Sequence, residues 1–206
     1  MTHDRHAVSK GKKIKEDNAM LGWLSGRDDA AETARELYGR VVAAARQPEF
    51  YRDLGVADTT EGRFEMVAIH LFLALEALRR TPDAADRGLD AVPRLTIEAF
   101  VTDMDDCLRE MGVGDLTVPK KVKRAAAGFY ERSGDYRAAL VAQDATALSL
   151  ALSKHVWGAA EVAPHAAVLG DYVRVALKAL VGKTARDVFE PGADAGWIST
   201  VIRSRA

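Results

Sequence analysis

The chain has 206 residues, of which 48% are apolar and 29% are charged, and its formal net charge is −1. These values are typical of one folded globular domain, and they exclude a disordered or fibrous protein and one that attracts nucleic acid through a global positive charge. The single cysteine, Cys107, excludes an internal disulfide and a cysteine-based zinc site. No stretch has the roughly 20 apolar residues that a membrane-spanning helix needs, so we expect a soluble, cytoplasmic protein that could still contact a membrane surface peripherally.

Residues 1–19 are polar and carry four lysines. We expect them to be a disordered leader or an extension outside the fold; the alternative is a basic arm that docks on phosphate or on an acidic partner. Apolar residues first appear at Met20, so the predicted folded domain spans residues 20–206.

Helical patterns then follow one another along the chain. Apolar residues at helical spacing, proline at helix starts and glycine at helix ends predict seven helices, together with a short helical turn at 48–54. The predicted helices are 30–46, 60–80, 95–111, 119–132, 136–143, 145–156 and 164–181, with a loop at 84–93 and a terminal turn or helix around Trp197.

Two of these helices differ in their expected surroundings. Helix 60–80 is apolar nearly all round, which predicts the buried centre of a bundle. Helix 95–111 has one apolar stripe for the core, with Asp103, Asp106 and Glu110 on the opposite face. No alternating run typical of a strand occurs, so the predicted fold is all-α, a single-domain irregular helical bundle of about seven helices.

The acidic residues of helix 95–111 are the first candidate site. Carboxylates at this spacing could bind a cation, act as an acid or base, or face a protein partner. The simpler interpretation is a solvated face on which Asp105 and Arg109 form an i,i+4 ion pair. The residues concerned are Asp103, Asp105, Asp106 and Glu110.

His70, in the most apolar helix, is the second candidate. Di-iron helical proteins use Glu-x-x-His, which occurs nowhere in this chain. We therefore favour a core or interface histidine that donates one hydrogen bond, and we keep a metal or ligand site formed with Asp103 or Asp106 as the alternative.

Four cations, Lys120, Lys121, Lys123 and Arg124, begin a predicted helix, where the helix dipole is mildly unfavourable for positive charge. They could face the acidic helix, a partner's carboxylates, or RNA phosphate, or be simply solvated. The preceding glycines, Gly112 and Gly114, follow no strand, so a nucleotide-binding turn is excluded and a tight helix reversal is favoured.

These same segments carry a family resemblance. The run GRFEMVAIHLFLALEALRR and the run FVTDMDDCLREMGVGDLTVPKKVKRAAAGFYERSGDY, within residues 62–136, resemble the ubiquinol–cytochrome c chaperone family over roughly residues 20–185. The resemblance marks Arg63, Phe64, His70, Asp103, Met104, Asp105, Arg109, Glu110, Gly112, Gly114, Asp115 and Lys120.

The resemblance implies a helical, non-catalytic assembly factor for the respiratory bc1 complex, with no cofactor and no catalytic residues. Mitochondrial members hold newly made cytochrome b near the ribosome exit, in cooperation with a small helical partner. The implied partners are therefore cytochrome b or a bc1 assembly intermediate, with a ribosome contact and a peripheral membrane contact as further expectations. The oligomeric state stays open.

Overall fold

The computed structural model describes residues 28–81, 90–192 and 196–204, and all regular secondary structure in these ranges is helical. An all-α bundle is therefore confirmed, while the leader predicted at 1–19 lies outside the described residues. The helices are α1 (28–45), α2 (Pro48–Arg52), α3 (Thr60–Arg80), α4 (Val92–Glu110), α5 (Val118–Val141), α6 (Ala145–Val156), α7 (Ala166–Leu180) and α8 (Trp197–Arg203).

α3 is the centre of the bundle, as its sequence predicts. Two thirds of its residues are buried, and it packs against α5, α6 and α7. Each large apolar side chain buried in this way contributes about 1.5–3 kcal/mol to folding. In the ranges that the structure describes, no helix combines the length and apolar character that crossing a bilayer requires.

The start of α3 depends on two small features. The Thr59 hydroxyl accepts a hydrogen bond from the amide of Gly62 at 3.2 Å, which satisfies one of the free amides of the first turn. A Cβ at Gly62 would lie 1.9 Å from the carbonyl oxygen of Ala57, so only glycine lets the preceding loop pack this closely.

The other end of α3 carries a buried charge. Glu76 is fully buried, and its carboxylate accepts hydrogen bonds from Arg79 and Arg80 at 2.7 Å and from Arg137 of α5 at 3.0 Å. Burial alone would raise the pKa of Glu76, but the three guanidinium groups outweigh it and lower the pKa to about 2. This cluster ties α3 to α5.

Two predicted boundaries are wrong. The helices predicted at 119–132 and 136–143 form one continuous helix, α5, through Ser133 and Gly134. The Arg132 side chain is held by Glu65, and the Tyr136 ring packs 5.6 Å from Phe72, so contacts on both sides hold this weak helix-forming stretch in place. The helix predicted to begin at Leu95 begins at Val92, so the last two residues of the predicted loop at 84–93 belong to α4, while residues 84–89 lie outside the described ranges.

The C-terminal segment returns to the core. Phe189 is buried with φ 54°, and its ring lies 5.6 Å from His70 and 6.3 Å from Trp197 at the start of α8. Arg40 of α1 fixes the same segment by donating to the carbonyl oxygens of Ala185 at 2.7 Å and Val188 at 3.0 Å. The terminal helix predicted around Trp197 is confirmed.

Candidate docking site at the α4–α5 hairpin

The apolar stripe of α4 is only partly covered. In the first half of the helix Val92, Thr96 and Phe100 are buried. Of these, Phe100 belongs to the predicted stripe, whose first member, Ile97, is half-buried. Beyond Phe100 no residue of α4 is buried, and Met111, which follows the helix, is 53% exposed. We call residues 104–124, which comprise the second half of α4, the turn and the first turns of α5, the hairpin tip. Its half-buried apolar residues include Met104, Cys107, Leu108, Val113 and Val122.

The turn between the helices is a Schellman motif. The amide of Gly112 donates to Arg109 O at 2.9 Å and the amide of Val113 donates to Leu108 O at 3.0 Å, with Gly112 at φ 76°. Gly112 therefore ends α4 as expected, whereas Gly114 has no positive φ, and a Cβ added there would meet open space. The motif presents Leu116, which is 99% exposed.

Arg109 fixes this turn on its polar side. Its guanidinium bonds to Asp105 one turn back and to Asp115 in the turn, both at 2.5 Å. The i,i+4 pair expected from the sequence is thus confirmed, and it extends to a third residue. Exposed pairs of this kind contribute under about 1 kcal/mol each, so their main effect is to orient the turn.

Asp103 does not lie on the solvated face where the stripe pattern placed it. It is half-buried against α1, and it accepts a 2.6 Å hydrogen bond from the hydroxyl of Tyr38. Burial first, and then the neighbouring carboxylate, raise the pKa of Tyr38, so the phenol stays protonated and donates. Asp106 and Glu110 remain exposed, so the acidic face is smaller than expected.

The cations at the start of α5 point into solvent. Lys120, Lys121, Lys123 and Arg124 are all exposed, and within the described ranges none forms an ion pair. The interpretation that they bind the acidic face of the preceding helix is therefore wrong. These charges are available to a partner at the hairpin tip.

Arg63 and Phe64 lie in the first turns of α3, and Phe64 packs against the hairpin. Arg63 is exposed and pairs with Asp58 at 2.7 Å, while the half-buried Phe64 ring lies 5.9 Å from that of Phe100 in α4. Arg132 of α5 also lies over the Phe64 ring, with its guanidinium carbon 5.5 Å from the ring centre. The sequence interpretation missed Arg132, which becomes significant only when α3 and α5 are placed side by side.

His70 is entirely inside the core. Its Nδ1 lies 2.7 Å from the carbonyl oxygen of Met66, and its Nε2 lies 2.7 Å from the hydroxyl of Tyr172. A carbonyl oxygen only accepts, so Nδ1 donates and Nε2 accepts from the tyrosine. Burial lowers the pKa of His70 to about 4. The expected core histidine is confirmed, and a partner cannot reach it.

The alternative metal site is not assembled. In the described part of the chain, His70 and the carboxylates of α4 share no group of potential ligands; the group that could hold an ion is Glu131, Asp135 and His155. There, Lys154 bonds to Glu131 at 3.0 Å and to Asp135 at 3.3 Å, and His155 Nε2 lies 2.9 Å from Asp135. This cluster, which the sequence pattern did not indicate, is an ion-pair network that joins α5 and α6.

Comparison with known proteins decides the family. The family model described as ubiquinol-cytochrome C chaperone matches residues 52–193. The chain belongs to the ubiquinol-cytochrome C chaperone family. The crystal structure of the Cbp3 homolog from Brucella abortus is similar to this member, with 38% sequence identity, a TM-score of 0.67, and coverage of 86% of this chain and 93% of that one. A comparison with curated proteins gave no match. The hairpin tip lies wholly within the matched range.

Proposed function

We propose that this protein is a non-catalytic chaperone that assists assembly of the bc1 complex by holding an apolar segment of cytochrome b on the hairpin tip. Membership of the ubiquinol-cytochrome C chaperone family supports the role. The observation that carries the location is the partly covered apolar stripe of α4, which is followed by the exposed Met111 and Leu116. An apolar stripe that the fold leaves uncovered is typical of a partner-binding surface.

The chemistry of the hairpin tip fits a membrane-protein client. The backbone N–H and C=O groups of a transmembrane helix of the client are already hydrogen-bonded within that helix. Such a helix therefore needs apolar side chains to cover it and few additional hydrogen bonds. Apolar side chains about one turn apart, such as the half-buried Leu108 and the exposed Met111, provide that cover in the manner of a helix laid along a groove. Burying Leu116 against the client would contribute about 1.5–3 kcal/mol.

The charged residues around the hairpin tip would contribute more to discrimination between clients than to the affinity for any one client. Asp106 and Glu110 lie on one side, and four cations, Lys120, Lys121, Lys123 and Arg124, begin α5 on the other. Such an arrangement favours a client with charges of defined order beside its apolar segment, and it disfavours other apolar chains.

The proposal is tested by complementation of a deletion strain with Leu116→Asp. Because Leu116 is 99% exposed, the substitution leaves the fold intact but places a charge where the client docks. We expect the bc1 complex and spectroscopically measured cytochrome b to fall toward the level of the deletion strain. Val141→Asp is the matched control, since Val141 is 68% exposed at the other end of α5. Normal bc1 levels in the deletion strain itself would remove the proposed role.

A second candidate function is docking on the ribosome that makes the client. It is favoured by the four solvent-facing cations, which form no internal ion pair in the described ranges and could bind RNA phosphate. Reversing the charges of Lys120, Lys121, Lys123 and Arg124 should then abolish co-sedimentation with ribosomes, while Leu116→Asp should not. Unchanged sedimentation of the charge-reversed variant would exclude this function.

A further inference from the structure

A second surface lies at the opposite end of α5 from the hairpin tip. There the ends of α3, α5 and α7 and the start of α6 enclose a cleft of about 530 Å³. This volume is in the range of sites that bind small molecules. Its apolar lining consists of Ala139, Leu140, Ala145, Leu148, Leu177 and Val181.

The polar lining of the cleft is mostly cationic. Arg80 ends α3, and Arg174 and Lys178 lie one turn apart on α7, so they share a face of that helix. Arg174 also pairs with Asp171 of the same helix, which offsets part of its charge, so a bound anion would share Arg174 with that carboxylate. Asp144 is the acidic residue of the lining, and its Oδ1 already accepts hydrogen bonds from the amides of Thr146 and Ala147 at 2.9 Å. That carboxylate serves as the N-cap of α6 and is not directed to a bound cation.

The cluster behind Arg80 adds positive charge. Three guanidinium groups, those of Arg79, Arg80 and Arg137, share the single carboxylate of Glu76. One carboxylate neutralises one of them, which leaves an excess of two positive charges in the cluster, and Arg80 is its member that lines the cleft. Arg79 and Arg137 are about half exposed, so this excess acts at the surface. An anion placed among these groups would gain charge-assisted hydrogen bonds.

We propose that this cleft binds an anionic phospholipid of the membrane surface. The phosphate would lie among Arg80, Arg174 and Lys178, and the first carbons of the acyl chains would cover Leu177 and Val181. Guanidinium groups bind phosphate oxygens in a bidentate manner. The apolar lining of the cleft favours a lipid over free phosphate, because free phosphate would leave those apolar side chains exposed to water. α5 has 24 residues and is therefore about 36 Å long, so a lipid in the cleft does not block the hairpin tip. This proposal does not depend on the proposed function.

The test is co-sedimentation of the full chain with vesicles of phosphatidylcholine, with and without 30% phosphatidylglycerol. We expect binding to the anionic vesicles, and about fivefold weaker binding for Lys178→Glu and for Arg174→Gln. Arg35→Glu is the control: it removes an exposed cation of α1 that does not line the cleft. Circular dichroism checks that each variant is folded. Equal binding of Lys178→Glu and the unaltered protein, or equal binding to neutral vesicles, would overturn the proposal.

A second experiment distinguishes binding of a lipid from binding of free phosphate. Because Val181 belongs to the apolar lining, we expect Val181→Asn to weaken vesicle binding at high salt, where the contribution of the cations is screened. Calorimetric titration with inorganic phosphate should show binding at least tenfold weaker than binding to vesicles. If phosphate alone binds as tightly as the vesicles do and displaces them, the cleft is a phosphate site and the lipid assignment is wrong.

Discussion

The buried carboxylate of Glu76 allows a quantitative test of what joins α3 to α5. Replacing it with glutamine keeps the shape but removes the charge that three arginines share. A pKa lowered from the ordinary 4.5 to about 2 corresponds to about 3 kcal/mol at neutral pH, at about 1.4 kcal/mol per unit. Because Arg79 and Arg137 are about half exposed and can be resolvated, we expect Glu76→Gln to cost about 2 kcal/mol.

The assay is urea unfolding of the unaltered protein and Glu76→Gln from pH 7 down to pH 3. A lowered carboxyl pKa gives stability that is complete above pH 4.5 and is lost as the pH falls toward 2, so the difference between the two proteins should shrink over that interval. Glu98→Gln is the matched control, since Glu98 pairs with Arg94 on the exposed face of α4 and should contribute under about 0.5 kcal/mol. A pH-independent difference, or one below about 0.5 kcal/mol, would refute the reasoning.

Three further predictions concern single positions of α3 and α5. Gly62→Ala should lower the midpoint of thermal unfolding and cost about 2–3 kcal/mol, because its Cβ would overlap the carbonyl of Ala57. Gly134→Ala should instead stabilise the protein by about 0.5–1 kcal/mol in urea unfolding, since Gly134 lies inside a continuous helix with open space beside it, and destabilisation would contradict that continuity. Stability should fall by about 1.5 kcal/mol in total from pH 6.5 to 5, because buried His70, with its pKa lowered to about 4, stays neutral while the unfolded chain takes up a proton. This contribution should be absent in His70→Gln.

The helices themselves were largely predictable from sequence. The start of α3 at the Thr59 cap, the bounds of α6 and the glycine stop at Gly112 follow from local signals that operate within a few residues. The predicted break after Arg132 is wrong because the contacts that hold α5 together are made with α3, whose residues are distant from α5 in the sequence. The helix propensities of single residues do not include such tertiary contacts.

The candidate site was predictable in composition but not in arrangement. The sequence indicates the acidic residues, the glycine turn and the cations, and the structure places them in one hairpin. In the structure Asp103 bonds to Tyr38, which is 65 residues away in sequence, and the stripe beyond Phe100 is only partly covered. Whether a helical stripe is covered depends on how far the neighbouring helices extend, which periodicity does not determine.

The central claim, that the hairpin tip holds cytochrome b, is tested most directly by site-specific photo-crosslinking during synthesis of the client. A photoreactive amino acid at position 116 should crosslink to newly made cytochrome b in the host, whereas the same group at position 141, the exposed apolar position at the other end of α5, should not. Failure to crosslink at position 116, or equal crosslinking at both positions, would contradict the account.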